Sequence, residues 1–313
     1  MVLLCLLIGC DRQAIETDTG IPADTDTDPA AQPIWKQLNI QPCALAEDGQ
    51  VRCWRSEAWD EIGVFEYGAP PIEPLETFNP GYGIFWGISK STGLPVMLFQ
   101  PQSSRPNNVT GYTQIHATCA LLEGELDCWT REGLEDFQAE RYTLLSGPGW
   151  YVMLTESNEL RMLSVGGPPA WDRIPLDGPV QELMAIYPSV GCALFETGEI
   201  ECYGPGAPQF DNPPYVDIAG GYMFGCGVKP EGVVECNNGE SYDFGEPLRD
   251  LTVWSWQTYQ RVYEGTPNEG WGPVIPSMED EPHICVITES NAIRCQGWRY
   301  DFPDLQAALP KGR

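Results

Sequence analysis

Short stretches in which apolar residues recur at every second position dominate this sequence. The stretch from Cys43 to Cys53 is typical, because it places Leu45 opposite Val51 across a three-residue loop that ends at Gly49. Since side chains alternate along a strand, the two cysteines and the Leu/Val pair share one face of a β-hairpin. The last loop position needs a left-handed backbone, which glycine adopts freely and asparagine tolerates.

The same hairpin pattern occurs seven times. Five copies begin and end with cysteine, at residues 43–53, 119–128, 192–202, 226–236 and 285–295. Two copies have apolar residues at both cysteine positions, at residues 86–98, with two extra loop residues, and at residues 152–162. Glycine or asparagine fills the left-handed position in all of them: Gly49, Gly93, Gly124, Asn158, Gly198, Gly232 and Asn291. The pattern therefore predicts seven hairpins with a common turn.

A second apolar signature precedes each hairpin and predicts a further strand. It consists of two apolar residues three positions apart: Trp35 and Leu38, Leu75 and Phe78, Tyr112 and Ile115, Tyr142 and Leu145, Val180 and Leu183, Tyr215 and Ile218, Leu251 and Trp254. An eighth pair, Phe302 and Leu305, follows the last hairpin and has no hairpin of its own. A spare terminal strand is what a closed ring uses to remove a free sheet edge.

These repeats predict an all-β fold, a seven-bladed β-propeller with short three- to four-stranded blades, hairpins clipped by disulfides and a terminal strand that closes the ring. The repeats begin 33 to 59 residues apart. A β-solenoid also stacks repeats, but its periods are shorter and more even. The propeller domain is expected to span residues 33–310.

Ten of the twelve cysteines lie at the paired hairpin positions, and in the two remaining hairpins both positions are apolar together. This joint loss is expected for bonded pairs. We therefore expect five disulfides: Cys43–Cys53, Cys119–Cys128, Cys192–Cys202, Cys226–Cys236 and Cys285–Cys295. Zinc binding by the same pairs is the alternative, and an oxidising compartment favours disulfides over it.

The N-terminus resembles an export signal. Residues 1–10 are nearly all apolar and too few to span a bilayer, and Leu7-Ile8-Gly9-Cys10 resembles the bacterial lipoprotein box, in which the cysteine carries a lipid. Only nine residues precede Cys10 and none is basic, so a chance apolar N-terminus is the alternative. Residues 11–32 are rich in Asp and Thr and predict a disordered acidic linker. A lipid-anchored protein of the bacterial cell envelope is expected.

The chain carries 45 acidic and 17 basic residues, a formal net charge of −28. Because nucleic-acid affinity depends on Lys and Arg displacing counterions, a nucleic-acid partner is excluded. The same charge favours a soluble monomer.

Residues 215–236, which read Tyr-Val-Asp-Ile-Ala-Gly-Gly-Tyr-Met-Phe-Gly-Cys-Gly-Val-Lys-Pro-Glu-Gly-Val-Val-Glu-Cys, resemble the repeat of the regulator of chromosome condensation family. The likeness is to its bacterial secreted form with paired cysteines, and it extends over residues 34–309. It implies a propeller but no single activity, because relatives include nucleotide exchange factors, chromatin binders and a β-lactamase inhibitor. Several hairpins here lack the Gly-x-Asn-x-x-Gly-x-Leu-Gly run that follows Cys-Trp-Gly in the family.

No catalytic motif is found in the sequence, and no cofactor or metal is expected. His116 and His283 immediately precede hairpin strands at corresponding places in the third and seventh repeats, and both are interpreted as ordinary repeat positions. Hydrolytic motifs, phosphate-binding loops and Cys-x2-Cys pairs are missing from the sequence. Because carboxylates are abundant, an envelope hydrolase or lyase with acidic residues at the propeller mouth stays open.

The strongest candidate for a binding element is a long insertion between Trp254 and His283, which contains Trp256, Tyr259, Tyr263 and Trp271. Long loops in compact domains often bind partners, and exposed aromatic rings supply much of the binding energy. These rings pack on the propeller rim in the alternative interpretation. We therefore expect a non-catalytic binding or scaffold module for a protein or glycan, with an enzyme or a secreted enzyme inhibitor as alternatives.

Overall fold

A computed structural model describes residues 33–39, 43–53, 74–81, 84–97, 109–116, 119–129, 135–147, 150–163, 171–187, 189–221, 224–254, 259–260, 275–276 and 283–296. All of them lie within one compact unit, Pro33–Pro310. The predicted signal residues 1–10, the linker 11–32 and the closing strand 302–305 lie outside the described residues.

The described residues form seven antiparallel sheets of three or four strands. Sheets 1 to 4 contain β1 (Trp35–Asn39), β2 (Cys43–Ala46) and β3 (Val51–Cys53); β4 (Leu75–Gly81), β5 (Ile84–Ser89) and β6 (Pro95–Met97); β7 (Tyr112–His116), β8 (Cys119–Leu122) and β9 (Glu125–Cys128); β10 (Tyr142–Ser146), β11 (Tyr151–Thr155), β12 (Glu159–Leu163) and β13 (Trp171–Pro175). A one-turn helix, α1 (Glu135–Gln138), precedes sheet 4.

Sheets 5 to 7 continue the series along the chain. They contain β14 (Val180–Tyr187), β15 (Val190–Phe195) and β16 (Ile200–Tyr203); β17 (Asp217–Gly220), β18 (Gly225–Val228), β19 (Val233–Cys236) and β20 (Ser241–Asp243); β21 (Leu248–Trp254), β24 (His283–Thr288) and β25 (Ile293–Gln296). A separate two-stranded ribbon, β22 (Tyr259–Gln260) with β23 (Ile275–Pro276), lies between β21 and β24 in sequence.

Each hairpin has the predicted left-handed residue at the end of its loop. All seven last loop positions have a positive φ, between 59° and 92°, and Asn158 and Asn291 adopt the same conformation as the glycines. The third hairpin is one residue shorter, so that Glu123 (φ 51°) and Gly124 (φ 86°) both take the left-handed conformation of a two-residue turn. The residue type at these positions therefore follows from the backbone conformation that the turn requires.

Two details of the predicted register are wrong. In the second hairpin Trp86 lies opposite Met97, not Leu98, because the loop has one extra residue instead of two. In the seventh inner strand the equivalent apolar pair is Leu248 and Leu251, since Leu251 lies opposite Val286 just as Leu38 lies opposite Ala44. Strand β21 is long enough to contain two apolar pairs of the same spacing, and the sequence pattern alone gives no reason to choose between them.

Consecutive sheets pack face to face around a closed cycle. The face of each sheet that carries the hairpin cysteines, or the residues that replace them, contacts the next sheet: Cys43 and Leu45 pack with Phe78 of sheet 2, and Cys285 of sheet 7 packs with Trp35 of sheet 1. Each of the seven boundaries in the described part of the chain has such a buried cluster. Burying one such large side chain stabilises the fold by about 1.5–3 kcal/mol.

Hydrogen bonds link most hairpin turns to the chain that follows: those of the first, third and fifth hairpins reach the start of the next sheet, and those of the fourth and sixth reach Leu176 and Phe244, just after the fourth strand of their own sheet. The carbonyl oxygen of Gly49 accepts the N–H of Leu75 at 2.8 Å, and that of Gly198 accepts the N–H of Tyr215 at 2.8 Å. The cycle closes when Asn291 Oδ1 accepts the N–H of Trp35 at 2.9 Å. All the turns therefore lie on one side of the fold, which is a β-propeller; a blade count of seven for the whole chain stays a prediction.

Candidate functional site

The two faces of the propeller are built from different segments. We call the side that carries the seven hairpin turns the turn face. The opposite side, the loop face, carries the connections from the first to the second strand of each sheet. These connections are residues 39–43, 81–84, 116–119, 146–151, 187–190, 220–225 and 254–283.

The loop face and the turn face differ sharply in charge. Although charged residues make up 20% of the chain, the six short connections of the loop face contain no Asp, Glu, Lys or Arg. Six of the seven hairpin turns, by contrast, present an exposed glutamate: Glu47, Glu123, Glu156, Glu196, Glu231 and Glu289. The fold thus separates an acidic turn face from a loop face whose short connections are uncharged.

Both histidines of the protein lie at the loop face, but they do not occupy corresponding positions as the sequence suggested. His116 ends the inner strand β7 and lies opposite Cys119, whereas His283 begins the second strand β24 and lies opposite Trp254. Burial lowers the pKa of each imidazole to about 4. Both rings are therefore neutral above about pH 5, and His116 Nε2 lies 3.4 Å from Asn79 Nδ2, close enough to accept its amide hydrogen.

One polar position on the inner strands links neighbouring sheets. It directly precedes the second apolar residue of every inner strand except that of sheet 4, where the residue is Leu144. Gln114 Oε1 accepts the N–H of Leu145 in the next sheet at 2.7 Å, and Glu182 Oε2 accepts that of Ile218 at 3.3 Å. Asp250 makes the equivalent bond to the N–H of Leu38 across the closure of the cycle. These side chains provide polar bonds between sheets that share no β-ladder.

Three consecutive sheets have a carboxylate at this position: Glu182, Asp217 and Asp250. Burial raises the pKa of Glu182 and of Asp250 well above their ordinary values, and the nearby charge of Asp217 adds to both shifts. Glu182 and Asp217 are also joined by a hydrogen bond, and burial raises the pKa of Asp217. This cluster can retain a proton at a pH where ordinary carboxylates are ionised.

No group of three or more His, Cys, Asp or Glu side chains within the described ranges is arranged to hold a metal ion. Glu182 and Asp250 of the acidic cluster accept hydrogen bonds from the backbone N–H groups of Ile218 and Leu38.

The insertion begins where β21 ends at Trp254. Tyr259 is in the ribbon strand β22, opposite Pro276 of β23. The other aromatic residues of the predicted binding loop, Trp256, Tyr263 and Trp271, lie outside the described residues. The two ends of the insertion, Trp254 and His283, lie opposite each other at the loop face.

The hairpins that carry cysteines are disulfide-bonded. Bonds join Cys119 to Cys128, Cys192 to Cys202, Cys226 to Cys236 and Cys285 to Cys295, with Cα atoms 4.0–4.1 Å apart. In sheet 1, Cys43 lies opposite Cys53 and is itself disulfide-bonded. Because such bonds persist in oxidising compartments, they indicate an exported protein. Within the described ranges no helix has the length and apolar character needed to cross a membrane, and Cys10 lies outside these ranges.

Comparison with known proteins supports the fold and nothing finer. No family model matches the sequence, and no curated protein is similar to it. Among solved structures, the chain is similar to the CRINKLY WD40 ectodomain of the receptor kinase ACR4 from Arabidopsis thaliana, with 17% identity, a TM-score of 0.56, and 82% of this chain and 93% of that chain covered.

Two further solved structures are more distant. Prp20p from Saccharomyces cerevisiae has 15% identity over 66% of this chain and 70% of its own, with a TM-score of 0.39. BamB from Moraxella catarrhalis has 10% identity over 82% of this chain and 79% of its own, with a TM-score of 0.41. Only the likeness to the plant ectodomain, of these three, is close enough to support the propeller fold.

The sequence analysis missed the polar inner position and the lack of charge in the six short connections of the loop face. A signal for the first exists, because Gln37, Gln114, Glu182, Asp217 and Asp250 all precede the second residue of an apolar pair. The lack of charge in the short connections can be recognised only when the connections are distinguished from the turns, and this distinction requires the strand order.

Proposed function

We propose that this protein is an exported binding module that holds a protein or glycan partner on the loop face of its propeller without chemical turnover. The observation that carries the proposal is the separation of the acidic turns from the uncharged connections. The long aromatic insertion starts and ends on the same uncharged side. Connections without charged side chains are inexpensive to desolvate, which favours contact with a partner.

Site-specific photocross-linking on intact cells tests the choice of face. One photoreactive residue replaces Asn238, which is exposed beside the end of β19 on the loop face, and the matched control replaces the exposed Thr197 in a turn. We expect a discrete partner to be captured from position 238 and not from position 197. Equal capture at both positions, or capture at position 197 alone, contradicts a loop-face site.

The anchoring part of the proposal rests on the likeness of residues 7–10 to a lipoprotein box and on the secreted, cysteine-paired form of the repeat. In this proposal the protein is a monomer held to the bacterial envelope by a lipid on Cys10. The variant Cys10→Ala is expected to leave the membrane fraction, and mass spectrometry of the wild-type N-terminus should show acyl groups. A wild-type protein without acyl groups contradicts the anchor and leaves the loop-face proposal intact.

An envelope hydrolase or lyase is the second candidate function, because Glu182 and Asp217 share a hydrogen bond and both have a raised pKa. Paired carboxylates of this kind can exchange a proton. However, Glu182 already accepts a backbone N–H of the next sheet, which favours a structural role. Turnover of an envelope polymer that is abolished in Glu182→Gln and retained in Glu199→Gln would replace the binding proposal with this one.

A further inference from the structure

The outer strand of sheet 5, β16, has an edge that no strand of the described residues covers. The two neighbouring sheets, 4 and 6, each have a fourth strand, β13 and β20. Residues 204–216, which follow β16, are all described and take another path. The chain turns at Gly204, whose carbonyl oxygen accepts the N–H of Ala207 at 3.2 Å, and Phe210 then packs edge-on against Tyr215. Sheet 5 therefore ends at β16 in this part of the chain.

The register of the hairpin determines which backbone groups lie at this edge. Cys192 lies directly opposite Cys202 with Cα atoms 4.0 Å apart, the arrangement of a pair that exchanges no backbone hydrogen bonds. Because bonding alternates along an antiparallel strand, Glu201 bonds back to β15, while Ile200 and Cys202 direct their N–H and C=O groups away from it. Within the described ranges these outward groups have no hydrogen-bond partner. Such an edge is a template for pairing with another chain.

Sheets 4 and 6 show what kind of residue a fourth strand places at this edge. In sheet 4 the residue that corresponds to Ile200 is Leu160, which lies opposite Ile174 of the fourth strand. In sheet 6 it is Val234, which lies opposite Tyr242. Both fourth-strand side chains pack against the buried cluster at the boundary with the next sheet. A strand that pairs with β16 therefore needs an apolar residue opposite Ile200.

Charge adds a second requirement. Glu199 and Glu201 flank Ile200, and both are exposed. In sheet 4 the residue that corresponds to Glu199 is Glu159, and Arg173 of the fourth strand lies 3.4 Å from its carboxylate. In sheet 5 no Lys or Arg of the described residues forms an ion pair with either glutamate. A basic residue on the added strand supplies that partner, whereas a second copy of this edge would place like charges opposite each other.

We infer that the edge of β16 binds an extended segment of a partner protein by β-strand addition. The segment carries a basic residue directly before the apolar residue that lies opposite Ile200, as Arg173 precedes Ile174 in sheet 4. Ile200 donates its N–H to the apolar residue and accepts that residue's N–H, and the two flanking glutamates select a basic sequence. The edge belongs to an outer strand and not to the connections of the loop face, so the inference goes beyond the proposed function and does not rest on it.

The test measures binding of a fluorescently labelled peptide, Thr-Val-Arg-Ile-Thr-Val, to the full chain by fluorescence anisotropy. We expect saturable binding. Methylation of the peptide's isoleucine nitrogen removes the N–H that Ile200 accepts and should weaken binding at least about tenfold. A peptide with glutamate in place of arginine should also bind at least about tenfold more weakly, because like charges then lie beside Glu199 and Glu201.

Hydrogen exchange locates the bound peptide. In the free protein the amide of Cys202 should exchange at least about tenfold faster than that of Cys236, the equivalent residue of sheet 6, which is donated to the carbonyl oxygen of Glu240 at 2.9 Å. Saturating peptide should slow exchange at Ile200 and Cys202 at least about tenfold and leave Cys236 unchanged.

Charge reversal at the edge tests selectivity. The double variant Glu199→Arg with Glu201→Arg should prefer the glutamate peptide to the arginine peptide. The matched control, Glu231→Arg with Glu289→Arg, makes the same change of charge at exposed residues in the turns of sheets 6 and 7 and should bind the arginine peptide within about twofold of the wild type. Mass spectrometry without reduction checks that the hairpin disulfide of sheet 5 is intact in the edge variant.

Three results overturn the inference without any variant: no binding of the arginine peptide, equal binding of its methylated form, or slow exchange at Ile200 and Cys202 in the free protein. Slow exchange in a dimer, detected by sedimentation velocity, shows that a second copy covers the edge; in a monomer it shows that the chain covers its own edge. Wild-type preference in the folded edge variant also overturns the inference, because the glutamates then select nothing.

Discussion

Asn158 and Asn291 occupy turn positions at which the other five hairpins have glycine, and each uses its side chain to bond the following segment. Asn158 Nδ2 donates to the carbonyl oxygens of Leu176 and Gly178 at 2.9 and 3.0 Å. Asn291 Nδ2 donates to Pro33 O at 2.9 Å. An asparagine at this position adopts a less favourable backbone conformation than glycine would, but its side chain forms hydrogen bonds that glycine cannot form.

Replacing Asn291 separates these two contributions. We expect Asn291→Gly to lower the free energy of unfolding by about 1–2 kcal/mol, because the bonds to Trp35 and Pro33 are lost while the backbone conformation stays accessible. Asn291→Ala should cost about 1 kcal/mol more, since alanine disfavours a positive φ. Denaturant unfolding measures both values. An Asn291→Gly variant as stable as the wild type shows that these bonds contribute nothing.

At this scale the sequence predicts what depends on local geometry. The left-handed turn residues follow from hairpin stereochemistry within four or five positions, and all seven are confirmed. The partners of Asn291 could not be predicted, because they lie at the opposite end of the chain and meet it only after the cycle has closed.

The hairpins show which features of an element can be exchanged. In sheet 4, Val152 lies opposite Met162 at the place where other sheets have a disulfide. We expect the double variant Cys285→Val with Cys295→Met to fold and to lose about 2–3 kcal/mol of stability, the entropic contribution of closing so short a loop. The single variant Cys285→Ala should lose more, because it adds a cavity and leaves a free thiol. Equal stability of wild type and double variant in denaturant contradicts a stabilising role for this bond.

The inner strands of sheets 5 to 7 predict a dependence on pH. Because the pKa of Glu182 is raised on folding, its contribution to stability is present at low pH and is lost as the pH rises above about 4. The two histidines act in the opposite sense, since their pKa falls to about 4 on folding and stability is lost as the pH falls from about 6.5.

The substitution Glu182→Gln isolates the carboxylate from the histidines. The amide keeps a hydrogen-bond acceptor, as Gln114 does in sheet 3. We expect the variant to be more stable than the wild type by about 1 kcal/mol at pH 8, with the difference shrinking towards pH 5. The matched variant Gln114→Glu should be less stable than the wild type at pH 8. Thermal unfolding at the two pH values measures these differences, and a constant effect of Glu182→Gln contradicts the raised pKa.

Element boundaries were predictable where the apolar pattern allowed only one alignment of the two strands. The pairing of Cys43 with Cys53 follows from a symmetric pattern and is confirmed by the register. The register of residues 86–97 and of β21 was not fixed by pattern, because a loop insertion and a long strand each admit two alignments. The sheet boundaries resolve them, since only one alignment buries the correct face.

For the whole molecule, the propeller fold follows from repeats that cannot bury their apolar faces alone. Each sheet has one face against the preceding sheet and one against the following sheet, so a linear stack leaves two open faces and a cycle leaves none. The cluster that joins Cys285 and Ile287 with Trp35 and Leu38 buries the last pair. Sheet 1 and sheet 7 pack directly on each other in the described residues, and the closing strand at residues 302–305, which lies outside them, stays a prediction.

The candidate site was the least predictable level. The aromatic insertion stands out in the sequence, but the six uncharged connections of the loop face are short and far apart in the chain. Only the common direction of the inner strands brings them together. Because the residues of this face are separated in sequence, they do not form a continuous sequence motif.

Hydrogen exchange at the backbone amide of Trp35 tests the closed cycle most directly, because this N–H is donated to Asn291, 256 positions away. The closed propeller predicts that it exchanges as slowly as the amides of Tyr142 and Tyr215, which make the equivalent bonds between consecutive sheets. In Asn291→Gly the protection of Trp35 should fall while that of Tyr142 and Tyr215 is kept. Fast exchange at Trp35 in the wild type, with slow exchange at the other two, contradicts a closed propeller.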